Sequence, residues 1–317
     1  MNELEKNTLS TIAWFDIFDY PLTIWELYKY NFQQPIPQKQ FLTFQKIQER
    51  LGKSEELRKI ISYKDGFYFL RWRDDLVKIR KERYLITEQK YKKFFKIAKI
   101  LAIVPFVRVI AVATGLSYAN SKKEDDVDLF IIAAKNRIWS VRFFSILIIK
   151  IFKARPTLLN KKDKVCLNFF ITEENLDLKK VCLLEKDNLP DIYFIYWMAW
   201  LYPIYQQKGI WQKFIQANLW LKTYLPFCVH QQPNKNRQVF LNYLTRSLKL
   251  ILEIFFWSFF WHYVFSFLQR KILPNNIKKI VNKGLGVIVN DSILKFHDKD
   301  KRQEYRQKFY EKIKQVS

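Results

Sequence analysis

Asp126 and Asp128 stand one residue apart at the start of the apolar run DVDLFIIAA. In a strand successive side chains alternate between faces, so both carboxylates project from one side while Val127 and Leu129 point to the other. Two like charges so close are costly, and a hard divalent cation with oxygen ligands relieves the repulsion. Magnesium is the ion expected where phosphate oxygens complete the shell. Upstream, VRVIAVA reads as a second buried strand that runs into Thr114-Gly115, where a glycine lets the backbone approach a ligand closely. After the acidic strand comes a helix, KNRIWSVRFFSILIIKIFK, and then a third strand, KVCLNFFIT. Arg137 and Arg142 on that helix have two readings: paired donors for phosphate oxygens, or cations that solvate the helix.

This order of strand, glycine turn, spacer and Asp-x-Asp strand resembles the DNA polymerase β-like nucleotidyltransferase superfamily. Gly115 lies eleven residues before Asp126, a spacing that suits the family pattern, and the resemblance covers residues 107–171. It implies that Asp126 and Asp128 hold magnesium and that Thr114, Gly115 and Ser117 contact the phosphates of a nucleoside triphosphate. Two positions depart from the pattern. Leu116 follows the glycine where the family has serine or glycine, with Ser117 and Thr114 near enough to supply a hydroxyl. The family often draws a third acid from a later strand, and the corresponding strand here offers Asn168. Alternation along that strand would put Cys166, Asn168 and Phe170 on one face, so Asn168 is the expected third position.

The 317 residues carry 55 basic and 30 acidic side chains, a formal charge of +25, with 49% apolar content. That supports a folded protein of two or three domains whose surface attracts phosphate backbones or an anionic membrane. Cys166, Cys182 and Cys228 show no paired spacing, so neither a zinc knuckle nor a disulfide framework is expected. His230, His262 and His297 are equally scattered, which gives no support to a histidine-centred metal site or a Ser-His-Asp hydrolase. The N-terminus, MNELEKNTLS, is charged and polar where a secretory segment needs an apolar run, so a cytoplasmic location is expected.

The predicted class is α+β in three parts. Residues 1–82 read as a winged-helix-like domain. A first helix runs to about Ile17, Thr23 with Glu26 forms a capping box for the second, and a third fits 38–51, carrying Lys39, Lys46 and Arg50. Asp65-Gly66 between β-rich runs then predicts a hairpin. Such domains serve either nucleic acid or protein partners. Residues 83–185 form the nucleotidyltransferase core, a mixed sheet flanked by helices, entered by a basic amphipathic helix, TEQKYKKFFKIAKILAIVP, whose polar face includes Lys90, Lys92, Lys93, Lys96 and Lys99.

Residues 186–317 read almost wholly as helix. Within them 250–268 is nearly all apolar, interrupted by Glu253, Ser258, His262 and Ser266, which with Lys249 fall at intervals that make one narrow polar stripe. Three readings stay open for it: a bundle-core helix, a helix in the membrane interface, and a span, which would leave Glu253 in hydrocarbon at about 2.5–3.5 kcal/mol.

The functional expectation is a magnesium-dependent nucleotidyltransferase that moves a nucleoside monophosphate from a nucleoside triphosphate to an acceptor hydroxyl. The alternative is a catalytically weak nucleotide- or nucleic-acid-binding regulator on the same fold. Expected partners are the triphosphate, RNA or DNA, and a peripheral membrane contact through 250–268.

Overall fold

A computed structural model describes residues 1–34, 43–157, 160–184, 189–207, 209–229 and 235–316. The N-terminal part opens with α1 (Glu3–Asp16), followed by β1 (Leu22–Thr23) and α2 (Ile24–Lys29), whose capping box pairs Thr23 with Glu26. Next come α3 (Phe44–Lys53), capped by Thr43, and α4 (Glu55–Ile60), capped by Ser54. The third helix therefore starts later than expected, and the expected stretch 38–42, with Lys39, lies outside the described residues. β2 (Ile61–Lys64) and β3 (Phe67–Leu70) form the anticipated hairpin, turned by Asp65 and Gly66, both at positive φ, and β1 adds a third strand beside β3.

A long helix, α5 (Asp75–Ile103), leads to a six-stranded sheet. Its members are β4 (Val107–Val112), β5 (Val127–Ala133), β6 (Val165–Thr172), β7 (Tyr202–Gln206), β8 (Val287–Val289) and β9 (Ile293–Phe296), in the order β7-β4-β5-β6-β9-β8. Only β5 and β6 run parallel, joined through α6 (Ile138–Ile151). The helices α7 (Ile192–Trp200), α8 (Ile210–Ala217), α9 (Tyr243–Phe255), α10 (Phe259–Lys271), α11 (Asn275–Ile280) and α12 (Arg302–Val316) complete the chain. The protein is α+β, with a three-stranded and a six-stranded sheet.

The expectation that 186–317 is almost wholly helical is corrected. Half of the large sheet comes from that region, and the apolar run DIYFIYWMAWLYPIY divides at Leu201 into a helix and an edge strand. The 250–268 segment is not one helix either. It breaks at Phe256, Trp257 and Ser258, and α9 and α10 meet at 89°. Among the described residues no single helix is long and apolar enough to cross a membrane.

Both faces of the sheet are covered, which explains why its central strands are almost continuously apolar. Along β5, Val127, Leu129, Ile131 and Ala133 join the layer of α5, α6 and α10. Phe130 and Ile132 join the opposite layer, where α1, α7 and α12 stack aromatic rings around Trp14, Tyr196 and Phe309. Each such fully buried ring stabilises the layer by roughly 1.5–3 kcal/mol. N-terminal α1 and C-terminal α12 thus share one core with the sheet.

Candidate metal and nucleotide site

Asp126 and Asp128 lie at the mouth of the aromatic layer, because the alternation that buries Val127 and Leu129 behind the sheet turns the two acids forward. Cys166 of β6 pairs directly with Asp128, and one ligand atom from each of Asp126, Asp128 and Cys166 lies within 4.8 Å of the others. Among the described residues no third carboxylate joins this cluster.

Burial, and then the charge of Asp126, pushes the Asp128 carboxyl up to about 7. Asp126 is raised as well, chiefly by burial. The Cys166 thiol is pushed far above its ordinary value by burial and by both carboxylates, so it stays protonated. Like charges brought together out of water make a neutralising ligand favourable.

Thr114 positions the pair from the end of β4. Its hydroxyl donates to Asp128 Oδ2 at 2.8 Å while its backbone sits at φ 56°. A β-branched residue in the left-handed region stores on the order of 1–3 kcal/mol of strain, a cost that recurs at functional sites. Gly115 serves the turn itself: a Cβ there would lie 3.1 Å from the carbonyl oxygen of Asn120, whose N–H donates to Gly115 O at 2.7 Å. Leu116 is buried in the rear core, which accounts for an apolar residue at that position. Ser117 is buried too, and its hydroxyl donates to Thr114 O at 2.7 Å.

Several expected positions are elsewhere. Arg137 lies beyond the opposite end of β5, and its guanidinium donates to the carbonyls of Trp257 and Ser258. Arg142 is half-buried against Phe296 and donates to Gln269. Both arginines therefore brace α10 instead of meeting the carboxylates, because α6 carries them away from the acidic end of the strand. Asn168 is displaced by a bulge in the β5–β6 pairing, where three steps from Cys166 to Phe169 match two from Asp128 to Phe130. The bulge breaks the expected alternation: Phe170 joins the rear core, Phe169 the front one, and the thiol of Cys166, with the Asn168 amide beside it, takes the third position. Glu173 and Glu174 engage Arg108 and Lys135 past the far end of β6, and Asp177 caps Lys179.

Three groups of residues at or beside the candidate site escaped the sequence reading. Lys90 is buried, not part of a solvated face, and its Nζ donates to Lys123 O, Asp125 O and Asp163 Oδ1 at 2.7–3.0 Å. It ties together the loops that lead into β5 and β6. In front of Thr114 opens a cavity of ≈270 Å³, lined by Trp14, Phe18, Tyr118, Tyr193, Trp197 and Tyr305 among others. A second, of ≈210 Å³, shares Thr114, Tyr193, Trp197 and Tyr305, reaches Asp128, and has a basic wall of Lys295, Lys299, Lys301 and Arg302, in which Asp300 pairs with Lys295 and Arg302. Burial holds His297 in that wall down to about 4, so it is neutral at physiological pH, and brings Lys295 down to about 8. The signals for these groups are long-range, since α7, β9 and α12 meet Thr114 only in the folded sheet.

Comparisons of the chain with protein-family models, curated proteins and solved structures give no match.

Proposed function

We propose that the protein is a magnesium-dependent nucleotidyltransferase that transfers a nucleoside monophosphate from a nucleoside triphosphate to an acceptor hydroxyl. The observation that carries this reading is the convergence of Asp126, Asp128 and the strained Thr114 turn at the mouth of a cleft that is aromatic on one side and basic on the other. The donor set fits magnesium: two carboxylates from one strand leave most of an octahedral shell to water and phosphate. A protonated thiol is a poor ligand for a hard cation, so Cys166 acts as a hydrogen-bonding neighbour of the acids. When bound, magnesium lowers the negative charge that an attacking hydroxyl must approach.

The chain's own groups supply binding and orientation. Tyr193 and Tyr305, stacked on each other, and Trp197, stacked on Phe169 and Phe194, line the cavity with aromatic surface against which a base packs. Lys299 and Lys301 are exposed on the basic wall and attract the phosphates. Thr114 fixes one oxygen of Asp128 and leaves the other for the ion. The N-terminal helices and hairpin support a winged-helix reading, although Arg50 and Lys53 spend part of their charge on Glu5 and Glu49.

A second reading, a nucleotide-binding regulator with slow transfer, is favoured by Cys166, because a thiol held protonated cannot take the proton of an acceptor hydroxyl as a carboxylate can. Incubation with magnesium and each triphosphate labelled at the α-phosphate, with and without bulk RNA, separates the two. Covalent transfer of label supports the enzyme; retained label that is released on denaturation supports the regulator; the absence of both contradicts the site.

A further inference from the structure

Lys249, Glu253, His262 and Gln269 face into the protein, whereas Ser258, at the break between the helices, is exposed. Lys249 Nζ donates to Ala102 O, Val107 O and Tyr205 Oη at 2.7–3.0 Å. Glu253 accepts from the Phe106 N–H at 2.8 Å and from Arg108 at 3.1 Å. Gln269 donates to Trp139 O at 2.6 Å. The opposite face of the two helices is left in water, and it is apolar: Leu250, Ile254, Trp257, Phe260, Tyr263 and Phe267 are each more than half exposed. Phe256, Trp261 and Phe265 still meet the core, so the two helices present apolar residues to both the protein and the water, unlike a usual amphipathic helix. An exposed apolar surface that continues along two helices marks an interaction face.

Charge identifies the occupant. Between 243 and 283 the one acidic residue is Glu253, which is turned inward. Arg246 near the start of α9, and Arg270, Lys271, Lys278, Lys279 and Lys283 at and beyond the end of α10, are exposed. Asp291 offsets Arg270, and the remaining rim of the apolar corner at Trp257 is cationic, which repels a second copy of the same face and complements anionic headgroups. Aromatic residues with polar edges, Trp257 and Tyr263, suit the headgroup boundary. Lys249 and Glu253 tie α9 to the sheet, and each 13-residue helix is about 20 Å long, short of the hydrocarbon thickness.

We propose that the outer faces of α9 and α10 dock the protein onto an anionic phospholipid bilayer, with the corner at Trp257 inserted at the interface and the sheet held outside. The test is flotation of the full chain with phosphatidylcholine vesicles and with mixed phosphatidylcholine–phosphatidylglycerol vesicles. The parent floats with the mixed vesicles and far less with the neutral ones. The double variant Trp257→Glu and Phe260→Glu, at exposed positions, keeps the parent's circular dichroism and melting temperature and loses flotation on the order of tenfold or more, since binding scales with inserted apolar area. A second variant, Lys271→Glu with Lys279→Glu, reduces binding to the mixed vesicles alone. Absence of flotation with the mixed vesicles overturns the proposal. Flotation that the double variant leaves unchanged does so as well, as does a parent dimer that the double variant converts to monomer without any lipid binding.

Discussion

Replacing Asp128 by asparagine should make the metal-free protein more stable while removing its response to magnesium. The variant keeps an oxygen for the Thr114 hydroxyl and nearly the same volume, so it isolates the charge. The Asp128 carboxyl is raised from 3.8 to about 7, and at roughly 1.4 kcal/mol per unit the ionised form costs about 4 kcal/mol in the folded state. A buried amide retains part of the desolvation cost, which leaves a gain of about 2 kcal/mol, or roughly 4 °C in melting temperature for a chain of this size. The sign follows from linkage: the folded pKa lies above the unfolded one, so the group's full stability is present below pH about 4 and is lost as pH rises through about 7. The variant's advantage should therefore be absent near pH 4 and complete near pH 8. Urea unfolding in chelator at both pH values measures it. A variant less stable than the parent at the higher pH, or an advantage that persists at the lower one, would refute the reasoning.

Cys166→Asp places a third carboxylate in register with Asp128; it should weaken the protein in chelator and, with magnesium, raise single-turnover transfer on the order of tenfold or more, whereas Asn168→Asp in the bulge should change the rate less. Arg137→Ala removes the donors that hold the Trp257 and Ser258 carbonyls, so calorimetry should show a loss on the order of 1–3 kcal/mol with nucleotide affinity unaltered. Tyr305→Ala should weaken nucleotide binding in titration calorimetry by on the order of tenfold through lost stacking, with circular dichroism unchanged.

Features fixed by neighbours in the chain were legible in the sequence. The alternation of Asp126 to Leu129, the capping box at Thr23 and Glu26, and the Asp65-Gly66 hairpin all need only a few consecutive residues. Features set by register or by distant packing were not. Cys166 and Asn168 lie two residues apart, and only the bulge in a parallel pairing decides how they meet the acids. Arg137 and Arg142 follow the acidic strand closely in sequence, but a strand carries its two ends well apart and α6 takes them to α10. The strand Tyr202–Gln206 continues an apolar helix after a single residue, so no change of period marks it. Similarly, the mostly apolar composition of 250–268 is alike on both sides of residues 256–258, and the break is set where Ser258 caps a new helix. Lys90 resembled its solvated neighbours because nothing local shows that three acceptors from two loops converge on it.

The central claim is that Asp126 and Asp128 bind a nucleotide through a divalent cation. Titration calorimetry of the protein with nucleoside triphosphate, run in magnesium and in chelator and repeated on Asp126→Asn and Asp128→Asn, tests it most directly. The account predicts saturable binding by the parent in magnesium, and none in chelator or in either variant. Equal affinity in chelator, or variants that bind like the parent, would contradict it.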